Sequence, residues 1–384
     1  MRAIVCGAGL QGVPIAHALL KLGLDIHIVE PLKDNVDKCR AKLKETNPKE
    51  SNNHKYLIYN NLKDVPAADG LDFVISAAPY HQNIAISSWA FDNGLMYFDL
   101  GGDPDTRSEI HHSATINNCS TMTDLGLAPG LANMVAEYMM HSYVHGSDKV
   151  TDVFTRVGGL PIDPVGFLNY KRTWSTHGLR NEYSGPCLCI KHGEQTSEEA
   201  LTEVERLEAF PELGILECFH TKGGLSHSYE TMYEDGVINC NYKTIRWPGH
   251  ADALRFLIEQ CQLDNDTLDK AIENSCPITR EDQVLLMAQV NDSLFKTIIP
   301  HSKDWTAMQI ATAFPAAAAA FTMTTLFGSE DSKNFTYKDL AGLHHDSTDV
   351  SAYHKFVDTL CEIDSKRFND FNAQLYTDDL DDLG

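Results

Sequence analysis

The sequence predicts an α/β protein: an N-terminal doubly wound parallel sheet, a second α+β domain and a C-terminal helical segment that returns to the first domain. Three observations support this fold class. The chain has 384 residues, more than one ordinary domain needs. Its first third alternates short apolar runs with stretches of helical periodicity. Its middle part contains strands that follow one another closely, which is typical of a largely antiparallel α+β domain.

The elements of the first domain alternate along the chain. The apolar runs RAIVC, DIHIVE, KYLIY, DFVISAA, LMYFDL and STMTD are typical of buried strands. Residues 12–22, 32–44 and 83–91 repeat apolar positions at helical spacing. Strands joined by helices of this length pair in parallel, because a right-handed crossover needs about a dozen residues or more. We therefore expect a dinucleotide-binding type of sheet over residues 1–124.

The pattern changes after residue 124. KVTDVFTRVGGLP and INCNYKTIRW alternate polar and apolar residues as strands do, and residues 252–261 have helical spacing. These features predict a largely antiparallel α+β domain over residues 125–300.

Residues 301–384 are predicted to form helices that pack on the first domain. The run MQIATAFPAAAAAFTMTTLF at 308–327 carries no formal charge, yet its Ala and Thr content and Pro315 favour a buried helix over a membrane span. The tail YTDDLDDLG is expected to be a solvated acidic end.

Charge and cysteine usage restrict the partners. A net charge of −23 repels phosphate backbones and anionic lipid, so we expect a small-molecule ligand, with no nucleic acid and no membrane. Ten cysteines without CxxC pairs indicate a reduced, cytoplasmic protein. No metal site is predicted, because the histidine pairs at 111/112 and 344/345 are adjacent and their side chains diverge.

The run GAGLQG follows the first strand and opens the first helix, which is the context that a dinucleotide pyrophosphate requires. Glycines let the backbone approach the phosphates, and the helix N-terminus supplies N–H donors and a favourable dipole. We therefore assign cofactor binding to a Rossmann-type loop formed by Gly7, Gly9, Leu10, Gln11 and Gly12.

Glu30 ends the next strand, eighteen residues after Gly12, where an acidic side chain accepts hydrogen bonds from the adenosine ribose. A carboxylate there repels a 2′-phosphate, so NAD is favoured. NADP stays possible, because Lys33 lies near enough in sequence to pair with a phosphate.

Ligands of doubly wound sheets lie at the carboxyl edge of the strands. This rule assigns further cofactor contacts to Ala77, Ala78, Pro79 and Leu125, substrate contacts to Tyr80 and Asp99, and a catalytic role to Asp124. The alternatives are that Tyr80 is a solvent-facing residue at a helix start and that both aspartates cap the segments that follow them.

A resemblance to a known family rests on longer motifs in the second domain. The segments DLGLAPGLANMVA, RVGGLPIDPVGFLNYKRTWSTHGLRNEY, EVERLEAF, LECFHTKGG and NYKTIRWPGHA occur in an order that resembles the saccharopine dehydrogenase-like reductases, most closely the lysine 6-dehydrogenases. The resemblance covers about residues 1–260. It implies a Rossmann domain, a nicotinamide cofactor and a homo-oligomer, and it assigns substrate binding and oligomerisation to the inserted domain over residues 125–300.

Two positions depart from the saccharopine-specific pattern. Ala128 stands where these reductases tend to have an acidic residue, and His177 where they tend to have a basic one. Both departures favour a simple amine over a bulky substrate with charged groups at both ends, such as saccharopine. Residues 262–305 differ more from the family pattern, so another ω-amino acid or a diamine remains an alternative substrate.

The reaction that the resemblance implies needs a base that deprotonates the amine before hydride transfer. The candidates are Lys171 and His220, with His250 as an alternative; each is otherwise a surface or structural residue. Arg246 is the predicted partner of a substrate carboxylate, with Arg172 as runner-up. The remaining predicted pocket residues are Tyr170, Trp174, Ser175, Thr221 and His250.

The leading hypothesis is oxidative deamination of L-lysine at its ε-amine, giving the semialdehyde and then the cyclic piperideine carboxylate. The alternatives are a saccharopine reductase-like or other amino-acid or diamine dehydrogenase that works reductively, and a non-catalytic nucleotide-sensing protein.

Overall fold

The structure is a computed structural model, and it describes residues 1–47, 55–66, 70–102, 104–145, 149–328, 333–341 and 352–376. These residues divide into two compact units. Unit 1 comprises residues 1–134 and 309–384, and unit 2 comprises residues 135–308. The acidic tail predicted at the C-terminus and the histidine pair 344/345 lie outside the described residues.

Unit 1 is built on a six-stranded parallel sheet with the strand order β3-β2-β1-β4-β5-β6. The order reverses between β1 and β4, as in doubly wound folds. Its elements are β1 Arg2–Cys6, α1 Gly12–Lys21, β2 Asp25–Val29, α2 Lys33–Thr46, β3 Tyr56–Tyr59, β4 Phe73–Ser76, α3 Asn83–Asp92, β5 Met96–Asp99, α4 Pro104–Ile116, β6 Thr121–Met122 and α5 Leu131–His145, the last of which continues into unit 2.

Strands β1, β4, β5 and β6 are almost completely buried, as apolar strands of a parallel sheet between helices are. The edge strand β3 is partly exposed, and its Leu57 is 52% exposed. One core cluster joins Ile4, Val74 and Tyr97 of the strands to Phe91 of α3 and Ile110 of α4. Helix α4 was not predicted; its polar sequence leaves only Ile110 and Ala114 buried, too few for a clear helical pattern.

The C-terminal part of unit 1 contains α10 Ala307–Phe327, which begins at the end of unit 2, α11 Tyr337–Ala341 and α12 Ala352–Tyr376. Residues 333–335 run beside β6 and exchange hydrogen bonds with Thr121, so the returning chain covers that sheet edge. Helix α10 is long and apolar enough to cross a membrane, but 78% of its most apolar window is buried inside the protein. The predicted fold class is thereby confirmed.

Unit 2 contains a mixed sheet with the order β10-β11-β12-β7-β13-β14 and a side branch in which β8 pairs with β12 and β9. All of these pairs are antiparallel except β12 with β7. Its elements are β7 Asp152–Pro161, α6 Thr176–Glu182, β8 Pro186–Lys191, β9 Glu194–Glu199, β10 Glu205–Leu207, β11 Leu216–His220, α7 Ser228–Glu234, β12 Asn239–Arg246, α8 His250–Arg255, α9 Asn265–Ser275, β13 Asp282–Val290 and β14 Ser293–Pro300.

The two faces of this sheet carry different side chains, because residues alternate along a strand. Face A is defined by Tyr242, Thr244 and Arg246 of β12, and face B by Lys243 and Ile245 of the same strand. Helices α6, α8 and α9 contribute to the apolar cluster that includes Phe219, the residue opposite Thr244 on face A.

Candidate functional site

The glycine loop between β1 and α1 requires glycine at two positions for reasons internal to the fold. Gly7 has φ +94°, and a Cβ there would lie 2.9 Å from the carbonyl oxygen of Ala77. A Cβ on Gly12 would lie 1.9 Å from the carbonyl oxygen of Gly7, closer than any real contact. Both residues therefore shape the turn and hold the helix against it.

Gly9 is different, because a Cβ there would meet nothing within 4 Å and its φ is outside the left-handed region. The fold does not require glycine at this position. A ligand whose atoms occupy that space explains it. In the first turn of α1 the Val13 N–H donates to the Gly9 carbonyl oxygen and Pro14 has no N–H, so the Gly12 N–H is the donor that keeps no acceptor among the described residues. The arrangement fits the pyrophosphate of NAD(P).

Gln11 precedes α1 but does not cap it through its side chain. Its Oε1 atom is buried and accepts no hydrogen bond from the described residues. The neighbouring Leu10 is 66% exposed, and its carbonyl oxygen accepts a hydrogen bond from Gln309 Nε2. The loop thus presents both an open backbone and an unused polar atom where a nucleotide is expected.

Glu30 lies at the end of β2 and is 5% exposed. Its Oε2 atom accepts a hydrogen bond of 2.9 Å from the Ala8 N–H, and Oε1 accepts one of 2.9 Å from the Leu32 N–H. The carboxylate therefore ties the glycine loop to the end of the second strand. Each oxygen keeps a second lone pair for a ribose hydroxyl.

The end of β4 carries the predicted cofactor contacts Ala77, Ala78 and Pro79, which are partly exposed or exposed. The Ala77 N–H donates to the carbonyl oxygen of Cys6, so this segment is anchored beside the glycine loop. Tyr80 follows and is 47% exposed, and its side chain would collide with a Cβ on Gly102. These residues lie at the predicted edge of the sheet.

Asp99 and Asp124 form a buried carboxylate pair. Asp99 Oδ1 accepts hydrogen bonds from the N–H groups of Asp124 and Gly101, and its Oδ2 accepts from Tyr97 and Asn83. Burial and the Asp124 carboxylate raise the pKa of Asp99 from 3.8 to about 7. All four donors belong to the fold, so these contacts fix the strand ends.

Asp124 has φ +64°, and its Oδ2 lies 3.4 Å from Arg107 Nη1. Its carbonyl oxygen accepts a hydrogen bond from the hydroxyl of Tyr337 in the returning chain. Leu125 is completely buried, and its N–H donates to the carbonyl oxygen of Asp99. These contacts of Asp124 and Leu125 join the loop after β6 to Arg107, Tyr337 and Asp99 within unit 1.

In unit 2, Arg246 lies at the end of β12 on face A and is 3% exposed. Its Nε donates to the Tyr183 hydroxyl at 3.0 Å and its Nη1 donates to the carbonyl oxygen of Ile245 at 2.9 Å. The guanidinium also lies over the rings of Tyr170 and Tyr183, at 5.2 and 5.9 Å from their centroids. The structure thus brings the predicted residues Arg246 and Tyr170 together.

His250 supports this cluster from α8. Its Nδ1 is 2.7 Å from the carbonyl oxygen of Leu168, and its Nε2 is 2.9 Å from the Tyr183 hydroxyl. Burial and the nearby Arg246 charge lower the pKa of His250 to about 3. The imidazole is therefore neutral and orients the tyrosine that holds Arg246.

Thr221 also belongs to face A, where its hydroxyl is 2.7 Å from the hydroxyl of Thr244. Trp174 is partly buried and packs against Gly178, where a Cβ would be 2.4 Å from its ring. Ser175 is exposed and accepts a hydrogen bond from the Gly178 N–H as the N-cap of α6. The contact that the structure shows for Ser175 is therefore the N-cap of α6.

His220 lies on face B, because it is paired with Lys243 across the strands β11 and β12. Its Nε2 is 3.0 Å from Glu203 Oε2, and the Lys243 Nζ donates to Glu205 at 2.5 Å. Burial lowers the pKa of His220, and the hydrogen bond to Glu203 opposes this shift. The side chains of His220 and Arg246 therefore point to opposite faces of one sheet, which separates two residues that the sequence assigned to one substrate.

Lys171 follows Tyr170 and is partly exposed. Its Nζ is 3.4 Å from the carboxylate of Asp163, which is itself 80% exposed. Arg172, the runner-up for the substrate carboxylate, instead bonds to the Cys276 carbonyl oxygen and the Thr176 hydroxyl. Its contacts join α6 to the segment after α9.

Two charged residues in unit 2 were missed by the sequence reasoning. Lys243 is 1% exposed and belongs to the buried ionic cluster on face B. Glu182 ends α6, and burial raises its pKa to about 7 while the Arg246 charge opposes the shift. The pattern NEY contains Glu182 within the long motif of the second domain, but only the tertiary structure shows its charged neighbour. Among the described residues, no three His, Cys, Asp or Glu side chains are grouped to hold a metal ion.

Comparisons with known proteins assign the family. The model of the saccharopine dehydrogenase NADP binding domain matches residues 3–123, and that of the saccharopine dehydrogenase C-terminal domain matches residues 126–361. The chain belongs to the saccharopine dehydrogenase family. Membership confirms the predicted NAD(P) cofactor and the predicted class, an NAD(P)-dependent amino-acid dehydrogenase acting on a small molecule.

One solved structure shows the same fold as this chain. The chain is similar to apo histidine-tagged saccharopine dehydrogenase (L-Glu forming) from Saccharomyces cerevisiae, with 14% identity, a TM-score of 0.70 and coverage of 95% of this chain and 98% of that chain. A weaker similarity is to GenD2 from gentamicin A biosynthesis, solved with NAD, with 10% identity, a TM-score of 0.43 and coverage of 94% and 92%. Only the first of these supports the fold assignment.

Proposed function

We propose that the protein oxidises the amine-bearing carbon of an amino acid, with L-lysine at its ε-amine as the leading substrate. The observation that carries this proposal is Arg246. Its guanidinium is almost completely buried and has no carboxylate as an ion-pair partner among the described residues. A buried charge without a counter-ion is costly, and the α-carboxylate of a substrate supplies the missing partner in the bidentate geometry that arginine prefers.

The chain's own residues then have separate tasks. Tyr170 and Tyr183 hold the guanidinium through their rings and a hydroxyl. Lys171 is our candidate for accepting the amine proton, since the neighbouring Tyr170 contacts Arg246 directly. Bound NAD supplies the hydride acceptor. Water then hydrolyses the substrate iminium to the semialdehyde and releases ammonium. The α-amine condenses with this aldehyde and releases water, which gives the piperideine carboxylate.

The choice of L-lysine over saccharopine rests on Ala128 and His177, which lack the acidic and basic side chains expected for a two-headed substrate. A saccharopine reductase-like or diamine dehydrogenase that works reductively is the second candidate. A non-catalytic nucleotide-sensing protein is the third.

We further propose that NAD is preferred over NADP. The Glu30 carboxylate is held by two backbone N–H groups at the end of β2, so it cannot easily turn away from a ribose 2′-phosphate. Titration of the purified protein with NADH and NADPH tests this directly. A higher affinity for NADPH would contradict the role of Glu30.

The substrate is tested by incubating the protein with NAD, and separately with NADP, and with L-lysine, L-ornithine, saccharopine or cadaverine. We expect absorbance at the reduced-nicotinamide wavelength to rise most with L-lysine, and the cyclic imine product to be identified by mass spectrometry. Turnover of saccharopine alone would overturn the argument from Ala128 and His177. If no amine is turned over and neither nicotinamide cofactor binds, the proposed dehydrogenase activity is wrong.

The family resemblance and the cysteine pattern also lead us to propose a cytoplasmic homo-oligomer. Size-exclusion chromatography with light scattering tests the assembly, and a monomer at micromolar concentration would contradict it.

A further inference from the structure

The Tyr183 hydroxyl lies between two buried side chains that reach it from different elements. Arg246 Nε, at the end of β12, is 3.0 Å from the hydroxyl oxygen, and His250 Nε2, on α8, is 2.9 Å from it. The other ring nitrogen of His250, Nδ1, is 2.7 Å from the carbonyl oxygen of Leu168. Three hydrogen bonds therefore connect a backbone carbonyl group to the guanidinium. We refer to Leu168, His250, Tyr183 and Arg246 as the Arg246 relay.

The two ends of the Arg246 relay fix the direction of every hydrogen bond in it. Burial and the Arg246 charge keep the imidazole neutral, since they lower the pKa of His250 to about 3. A carbonyl oxygen only accepts, so His250 Nδ1 carries the one imidazole proton and Nε2 is an acceptor. A guanidinium only donates, so the Tyr183 oxygen accepts from Arg246 Nε and donates its own proton to His250 Nε2. The phenolic proton is thus committed to His250 and is not available to a ligand.

Backbone and ring contacts hold His250 in this orientation. The two carboxylate oxygens of Glu217 accept hydrogen bonds of 2.7 and 2.8 Å from the N–H groups of Gly249 and Ala251, the residues on either side of His250. The histidine is 1% exposed, and its ring centroid lies 5.2 Å from that of Tyr170. The position of the acceptor atom Nε2 is therefore fixed before any ligand binds.

The Arg246 relay determines which edge of the guanidinium is open to a ligand. A guanidinium binds a carboxylate through two parallel hydrogen bonds, either along its side from Nε and Nη2 or at its end from Nη1 and Nη2. Nε already donates to Tyr183, which closes the side edge to two-point binding. Nη1 uses one proton for the Ile245 carbonyl oxygen, and Nη2 has no partner among the described residues. The end of the guanidinium therefore keeps a donor on each of its two nitrogens.

We propose that Tyr183 and His250 are positioning residues that direct the substrate carboxylate to the end of the Arg246 guanidinium. This inference rests on the proposed function, in which Arg246 binds that carboxylate, and it adds the binding mode and the residues that enforce it. His250 acts through Tyr183 and does not touch the substrate. Both ring nitrogens of His250 are engaged within the protein, so this role replaces that of an alternative base.

The experiment measures carboxylate recognition apart from the rest of the substrate. L-lysine is compared with L-lysinamide, which has the same length but an uncharged carboxamide in place of the carboxylate. Binding of each to the NADH complex is measured by calorimetry, and the ratio of the two affinities is the carboxylate preference. The relay variants are Tyr183→Phe, His250→Phe, their double variant, and His250→Gln, which keeps an acceptor atom for the tyrosine. Tyr233→Phe on α7 is the matched control, because that tyrosine is 44% exposed and lies outside the relay.

We expect Tyr183→Phe to reduce the carboxylate preference about 10- to 100-fold, the range for a hydrogen bond to a charged group. His250→Phe should reduce it about 5-fold or more, whereas His250→Gln should stay within about 3-fold of the wild type. The double variant should lose no more than Tyr183→Phe alone, because His250 acts only through the hydroxyl. At saturating L-lysine, kcat should change less than about 3-fold in each variant, since the reacting amine is at the other end of the substrate. Tyr233→Phe should match the wild type.

Two outcomes in folded variants contradict the positioning role. Equal losses of L-lysine and L-lysinamide affinity would show general damage to the pocket. Losses that multiply in the double variant would show that His250 acts independently of Tyr183. Melting temperature and NADH affinity are measured for every variant, and if His250→Phe does not fold, Tyr183→Phe and His250→Gln still decide the question.

Arg246→Lys separates this inference from the proposed function. If it leaves the carboxylate preference unchanged, Arg246 does not bind the carboxylate and both are overturned. If it abolishes the preference while Tyr183→Phe retains it, the positioning role is wrong and the role of Arg246 stands. If another L-amino acid replaces L-lysine as the substrate but shows the same dependence on Tyr183 and His250, the positioning role stands and the choice of lysine fails.

Discussion

Replacing Gly9 by alanine tests the proposed pyrophosphate site with little disturbance of the fold. A Cβ at this position meets no protein atom within 4 Å, and the backbone does not need a left-handed conformation. Gly→Ala at such a position typically changes stability by less than about 1 kcal/mol, often favourably. For a unit of this size we expect the melting temperature of the apo protein to move by no more than about 4 °C.

The same methyl group should weaken cofactor binding strongly. It occupies the space that we assign to the phosphates, so at least one charge-assisted hydrogen bond from the loop to the cofactor is lost. Such a bond contributes about 1.5–3 kcal/mol, which corresponds to a roughly 10- to 150-fold weaker affinity. Titration of NADH fluorescence against the wild type and Gly9→Ala measures this directly.

Gly12→Ala is the matched control, because its Cβ would lie 1.9 Å from the Gly7 carbonyl oxygen. We expect this variant to lose stability or solubility whether or not the cofactor is present. Wild-type NADH affinity in a folded Gly9→Ala protein would refute our placement of the pyrophosphate.

Two further predictions follow from the buried charges. His220→Ala removes the contact to Glu203 and should lower the free energy of unfolding by about 2 kcal/mol or more, without altering the pH dependence of kcat. If the pH dependence of kcat changes in the folded variant, His220 is the catalytic base after all. Between pH about 4 and about 7, Asp99 keeps a proton in the folded protein that it loses in the unfolded chain, so the free energy of unfolding should fall as the pH rises, by at most about 4 kcal/mol from this group. Asp99→Asn should remove this pH dependence in denaturant titrations. An unchanged pH dependence in the variant would contradict the assignment to Asp99.

Much of the fold of unit 1 was predictable, because its strands are short apolar runs separated by helical patterns. Helix α4 was missed since its exposed polar surface leaves only two buried positions. In unit 2 the sequence indicated a largely antiparallel sheet, but the parallel pairing of β12 with β7 joins segments about 90 residues apart. Local patterns contain no information about such a partner.

The candidate site was predictable to different degrees in the two units. Gly7, Gly9, Gly12 and Glu30 lie in one short strand–turn–helix motif and the strand after it, so spacing alone located them. In unit 2 the sequence listed His220 and Arg246 together. Their strands place them on opposite faces, which depends on the register between β11 and β12.

The sequence by itself determined the type of sheet and the family, and it predicted the cofactor loop, because these depend on periodicity and on motifs within short segments. Only the tertiary structure separated the glycine that the fold requires from the one that it does not, since a Cβ on Gly12 would meet the Gly7 carbonyl oxygen and one on Gly9 would meet nothing within 4 Å. It also decided the partners of the buried guanidinium. Arg246 and Tyr183 are 63 positions apart in the numbering, and the Arg246 Nε meets the Tyr183 hydroxyl only because the residue after α6 packs at the end of β12.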